Sequence, residues 1–177
     1  MIPLLALRLR RDRVQLLLWI LGAAALAAAA ALGIDRSFGT ETDRRALLAA
    51  ALANPVILLF RGLPSGADEG PFLAFLILPF LALLAALMSA FLAVRHTRAE
   101  EDAGRAELIA ATRAGRLAPF LATVAHGLVA NACLGVVVTV TLLGIGREPV
   151  GSILSGLAAA ATGVVFLAVG MVAAQLS

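Results

Sequence analysis

Few side chains in this 177-residue chain are equipped for acid–base, nucleophilic or metal chemistry. Its histidines are His96 and His126, its single cysteine is Cys133, and it has neither lysine nor tyrosine. A nucleotide-binding P-loop needs the lysine of G-x-x-x-x-G-K-[ST] to reach the phosphates, so the chain cannot hydrolyse ATP by that route. One cysteine makes no intramolecular disulfide and no cysteine metal site. The two histidines lie on different segments, and no Asp or Glu falls within the long apolar runs. The sequence therefore offers no paired intramembrane carboxylates, and it assigns no catalytic residue, no metal ligand and no cofactor. Two polar side chains, His126 and Asn131, do sit inside an apolar run. Buried polar groups in a membrane often mark a transport or proton pathway. The stronger reading is hydrogen bonding between helices, the common role of neutral His and Asn, each contributing under about 1 kcal/mol. Five positions apart on a helix, they are offset by about 140° and do not share a face.

The elements that carry these residues are set by composition. Apolar residues make up 62% of the chain and charged residues 14%, against about 45–50% and 25% in soluble domains. A soluble fold of this size could not hide so much apolar surface, and the polar residues bunch into a few short stretches. This excludes a soluble enzyme, a disordered tail and a nucleic-acid-binding module. Four runs can cross about 30 Å of hydrocarbon, which takes roughly 20 helical residues: 14–34, 71–94, 119–144 and 152–175. Spans in lipid must satisfy their backbone internally, so these are helices. Pro79 inside the second removes an N–H and gives a cause for a kink. The predicted class is all-α integral membrane, with four transmembrane helices.

Arginine placement orients the spans. Arg8, Arg10, Arg11, Arg13, Arg95, Arg98, Arg105, Arg113 and Arg116 lie on one side. Arg36, Arg44, Arg45, Arg61 and Arg147 lie on the other. Positive residues favour the cytoplasm, so the N-terminus and the 95–118 loop are expected inside, and 35–70 and 145–151 outside. Residues 1–13 mix Leu with Arg, which suits an interfacial helix with snorkelling arginines and suits a plain positive-inside anchor as well. In the outer loop, Thr40 with Glu41 and Asp43 marks a helix start, and Asn54-Pro55 stops that helix. A second short apolar piece, 56–60, completes a helical hairpin. The 95–118 loop packs four acids and five arginines into an otherwise nearly uncharged chain. Thr97 with Glu100 has the form of a capping box, predicting a helix start at about residue 98. Glu101 and Arg105 pair in the favourable i,i+4 order.

The loop resembles the coupling loop of ABC-2-type exporter permeases, in particular exporters of polyketide antibiotics, whose pattern is R-x-x-E-E-x-x-G-R-x-E-L. The matching positions are Arg98, Glu100 or Glu101, Gly104, Arg105, Glu107 and Leu108. Arg10-Arg11-Asp12-Arg13-Val14 followed by Trp19 is similar to that family's approach to its first span. Asn54-Pro55 before Phe60-Arg61-Gly62 is similar to its first outer loop, with Arg in place of the usual middle residue. Arg116, and Asn131 with Gly135, are similar too. The resemblance implies a multi-pass permease of the plasma membrane that moves lipophilic antibiotics or drugs outward. It implies a separate ABC ATPase subunit that binds ATP and grips the charged loop as a coupling helix, with the 1–13 elbow helix as a second transmitting element. Such permeases usually carry two six-span halves, so the resemblance implies a piece truncated after residue 177, completed by remaining helices or a second half in the lipid bilayer. No nucleic-acid partner is implied. Two other readings stand beside it: a non-transporting membrane anchor or assembly protein, and a membrane-embedded lipid-modifying enzyme.

Overall fold

The structure is a computed structural model that describes residues 2–101 and 117–176, with side chains described over 5–96 and 119–174. Helix α1 spans Ile2–Ser37, α2 Glu41–Leu52, α3 Pro55–Arg61, α4 Glu69–Glu101, α5 Leu117–Gly144 and α6 Pro149–Leu176. No strand occurs among the described residues. Four of the helices are long and apolar enough to cross a membrane: 5–37, 69–96, 119–144 and 149–174. The chain is an all-α membrane protein with four spans.

Two expected boundaries are corrected. The division at residue 13 between an elbow helix and a first span is absent, because α1 runs unbroken through it for 36 residues. Pro3 sits in the first turn, where its missing N–H costs nothing, and no further proline interrupts the helix. At 1.5 Å per residue α1 is about 54 Å long, well beyond the roughly 30 Å of hydrocarbon. Likewise, no helix starts at about residue 98. The backbone of α4 continues through Thr97 and Glu100 to Glu101, since neither Gly nor Pro occurs between Phe80 and Glu101 to end it. A Thr-x-x-Glu spacing tolerates a helix interior as well as a helix start. The rest of the expected coupling loop, with Gly104, Arg105, Glu107 and Leu108, lies outside the described residues, as do the side chains of Arg98, Glu100 and Glu101.

The α2–α3 hairpin forms where its signals stand. Thr40 caps α2, its hydroxyl accepting from the Asp43 N–H at 3.2 Å. Asn54 caps α3 by accepting from Val56 N–H at 3.0 Å, with Pro55 at the first helical position. Buried Arg44 holds α2 down, donating to the carbonyls of Ala67 (2.7 Å) and Phe38 (3.0 Å).

Helix α4 is the centre of the bundle and packs against α1, α5 and α6. Phe72, Ile77, Leu81, Met88 and Leu92 on α4 interlock with Leu134, Val138 and Leu142 on α5, and with Ala23, Ala27 and Ala31 on α1. Lipid tails are as apolar as these side chains, so close van der Waals packing must hold such helices together. Small residues permit it. A Cβ on Gly135 would lie 2.8 Å from the carbonyl oxygen of Gly156, so α5 and α6 touch backbone to backbone there. The outward faces carry exposed Leu18, Leu21, Leu83, Phe91, Val136, Val140, Leu157 and Val169, as a span facing lipid requires. At the end of the bundle away from the N-terminus, Arg147 joins three elements. It donates to Asp35 (2.5 Å) and the Ala31 carbonyl (2.6 Å) on α1, and to Glu69 (3.2 Å) on α4.

Candidate functional site

The buried face of α1 reads Arg8, Asp12, Leu16, Ala23, Ala27, Ala31, Ile34. That is one stripe at helical spacing, and its first two members are charged. The inward stripe of α4 ends in the same way: Leu81, Ala85, Met88, Leu92, then His96. The stripe of α5 runs Ala122, His126, Ala130, Leu134, Val138. Three apolar stripes thus converge, and at one end they deliver Asp12, His96 and His126 to a single point. The side chains are 0%, 2% and 1% exposed.

Asp12 Oδ2 accepts from His96 Nε2 at 2.5 Å and lies 3.8 Å from His126 Nε2. The two imidazoles sit 5.0 Å apart, tilted by 42°. Arg95 approaches the other carboxylate oxygen, its Nε 3.4 Å from Asp12 Oδ1, and donates to Gln15 Oε1 at 2.5 Å. Arg8 ties α1 to the first two turns of α5, donating to Thr123 Oγ1 (2.6 Å) and to the Pro119 carbonyl (3.1 Å). Neither ring nitrogen of His126 has a hydrogen-bond partner. A buried carboxylate needs this company, because an unpaired charge in low dielectric is very costly.

Two histidines on separate segments and no carboxylate in the apolar runs had suggested no cluster. The fold brings both histidines and a carboxylate from the arginine-rich N-terminal stretch together. The donor atoms of Asp12, His96 and His126 lie within 4.8 Å of one another and are a set that could hold a metal ion. The signal in the sequence is one of spacing: Asp12 falls on the small-residue stripe of α1, and His96 falls one turn beyond Leu92 on the buried stripe of α4.

Asn131 faces a different neighbour. Its Nδ2 donates to Ser89 Oγ and to the Gly127 carbonyl, both at 2.9 Å, and its amide presses on Gly163 of α6. His126 and Asn131 thus bind different partners, as their angular offset implies, and the structure does not bring them together.

A third polar feature lies toward the other end of α4. Pro79 provides no N–H for the carbonyl of Phe75 four residues earlier. Arg61, at the end of α3, donates to the carbonyls of Leu76 (3.1 Å) and Phe75 (3.5 Å). Its guanidinium also stacks near Phe75 (5.7 Å) and Phe80 (5.3 Å). Beside it is a cavity of about 380 Å³ lined by Phe60, Arg61, Phe75 and Pro79. A second cavity of about 470 Å³, lined by Pro71, Leu154 and Ser155, shares Ala74, Leu78 and Ala158 with the first. Together they make a largely apolar cleft between α4 and α6, with Arg61 and Glu148 at its edges.

No family model matches the chain. Over 175 residues it is 37% identical to a protein of Mycobacterium tuberculosis (strain ATCC 25618 / H37Rv) named a multidrug efflux system permease protein. The match covers 98% of this chain and 32% of that protein, so the chain spans about a third of its relative's length.

Proposed function

We propose that the chain supplies four spans of the permease of an ABC exporter that moves lipophilic antibiotics or drugs outward across the plasma membrane. The observation that carries this is the 37% identity, along nearly the whole chain, with a protein named a multidrug efflux permease. Four apolar helices suit a permease. The cleft between α4 and α6, lined mainly by Ala, Leu, Phe and Pro with Arg61 at its edge, would accept an apolar molecule. The remaining helices of the path would come from a further part or a second permease half.

These 177 residues hold no lysine for a P-loop, so in this reading a separate ATPase subunit would supply the energy. The arginine count favours a cytoplasmic N-terminus and a cytoplasmic 95–118 segment, where that subunit would grip the stretch containing Arg98, Glu100, Glu101, Gly104, Arg105, Glu107 and Leu108. The unbroken course of α4 from Glu69 to Glu101 supports a mechanical reading. A push at Arg98–Glu101 travels along one stiff helix that touches all three other spans, and rocking of packed helices is a general means of alternating access.

The test is charge reversal in the whole exporter reconstituted with its ATPase. Glu101→Arg is expected to lower drug-stimulated ATP turnover by at least about tenfold, equivalent to roughly 1.4 kcal/mol of barrier, while detergent-solubilised protein keeps its helical content. Unchanged stimulation sinks the coupling assignment. Protease cleavage of residues 102–116 from the outer face of intact cells sinks the orientation.

A further inference from the structure

Asp12, His96 and His126 come from three helices and are buried together. Imidazole nitrogen with carboxylate oxygen is a donor set suited to Zn²⁺ and neighbouring divalent transition ions. A tetrahedral ion with bonds of about 2.0 Å holds its ligand atoms about 3.3 Å apart. The two separations from Asp12 Oδ2, 2.5 Å to His96 Nε2 and 3.8 Å to His126 Nε2, bracket that spacing. Side-chain shifts of under about 1 Å would equalise them.

His126 gives an independent pointer. It is 1% exposed, and both its ring nitrogens lack a hydrogen-bond partner. Buried polar atoms in native proteins nearly always have one. Its Nε2 is directed at Asp12 Oδ2 from 3.8 Å, too far for a hydrogen bond. An ion bridging the two atoms would satisfy the nitrogen. Arg95 faces Oδ1, and Arg8 turns its guanidinium toward Thr123 and the Pro119 carbonyl.

We propose that Asp12, His96 and His126 form a three-ligand site for a divalent transition ion of the Zn²⁺ type, clamping α1, α4 and α5 at one end of the bundle. Water would complete the coordination, as at other three-ligand zinc sites. The clamp joins residues 84 and 114 positions apart in sequence, so binding the ion would also stabilise the packed helices. It does not depend on the transport reading.

The experiment is equilibrium dialysis of the tag-free, detergent-solubilised chain against Zn²⁺, and against Co²⁺ as a coloured substitute. The expected result is about one ion per chain, a visible Co²⁺ spectrum with nitrogen and oxygen ligands, and a raised unfolding temperature. His126→Ala and Asp12→Asn should each weaken uptake by more than about tenfold, since even outer-shell changes cost that much. Asn131→Ala, on the same helix but away from the cluster, should leave uptake unchanged. Absence of uptake by the unaltered chain overturns the proposal, whatever the variants do. So does uptake that survives both ligand substitutions.

Discussion

At the residue scale, the polar side chains inside the bundle differ in how completely they are satisfied. Asn131 is well served: its amide bonds Ser89 and the Gly127 carbonyl, and Gly163 gives it room. A Cβ at position 163 would overlap the Asn131 amide and stand 3.1 Å from Ser89 Oγ. Gly163→Ala is therefore expected to destabilise the bundle by about 1–3 kcal/mol through overpacking. Adding Asn131→Ala should recover part of that loss by vacating the space, a non-additivity expected of residues in contact. Thermal unfolding of the two single variants and the double in detergent measures both effects. Equal losses with and without Asn131 would mean that the contact is not what matters. His126, by contrast, is buried with no hydrogen bond of its own, which is why the metal test centres on it.

At the element scale, Arg61 anchors α3 to the spans. Arg61 supplies donors to α4 at the turn where Pro79 withholds one. Arg61→Ala should cost about 1–2 kcal/mol and raise hydrogen exchange in α3, because it removes a charge-assisted hydrogen bond and a stacked cation. In Pro79→Ala the restored N–H returns a helical partner to the Phe75 carbonyl. Arg61→Ala should then cost less, giving a coupling of at least about 0.5 kcal/mol in the double-mutant cycle. A zero coupling would show that Arg61 acts only by stacking on Phe75 and Phe80. The α2–α3 hairpin itself was legible because its signals are local: Thr40, Asn54 and Pro55 act within three residues of where they stand. The helix start expected at about residue 98 failed for a related reason. A capping spacing gives a start only where the preceding chain is free to stop, and nothing in 80–101 stops it.

At the scale of the whole molecule, the bundle is fastened at both ends and packed between. Arg147 draws α1, α4 and the α5–α6 turn together through Asp35, Glu69 and the Ala31 carbonyl. Both carboxylates are more than half exposed, so each ion pair is worth well under about 1 kcal/mol, and the buried carbonyl bond adds about as much again. Arg147→Ala should lower stability by about 1–2 kcal/mol, read as a shift in the detergent unfolding midpoint. Raised salt should shrink the difference only in part, because the carbonyl bond is not screened. A variant as stable as the parent would show the fastening to be unimportant.

What the amino-acid order determined by itself was the solvent and the element type. With 62% apolar residues in four long runs, only helices in a bilayer satisfy both the side chains and the backbone. What only the tertiary structure decided was which polar residues meet. Asp12, His96 and His126 lie on three segments, and their convergence depends on how three stripes rotate toward one another, which a one-dimensional hydropathy run does not encode. The buried stripe of α1 also extends N-terminally past the start of the uncharged run at Val14. A reading that stops at the edge of the hydrocarbon leaves Asp12 among anchoring arginines, whereas packing carries it into the core.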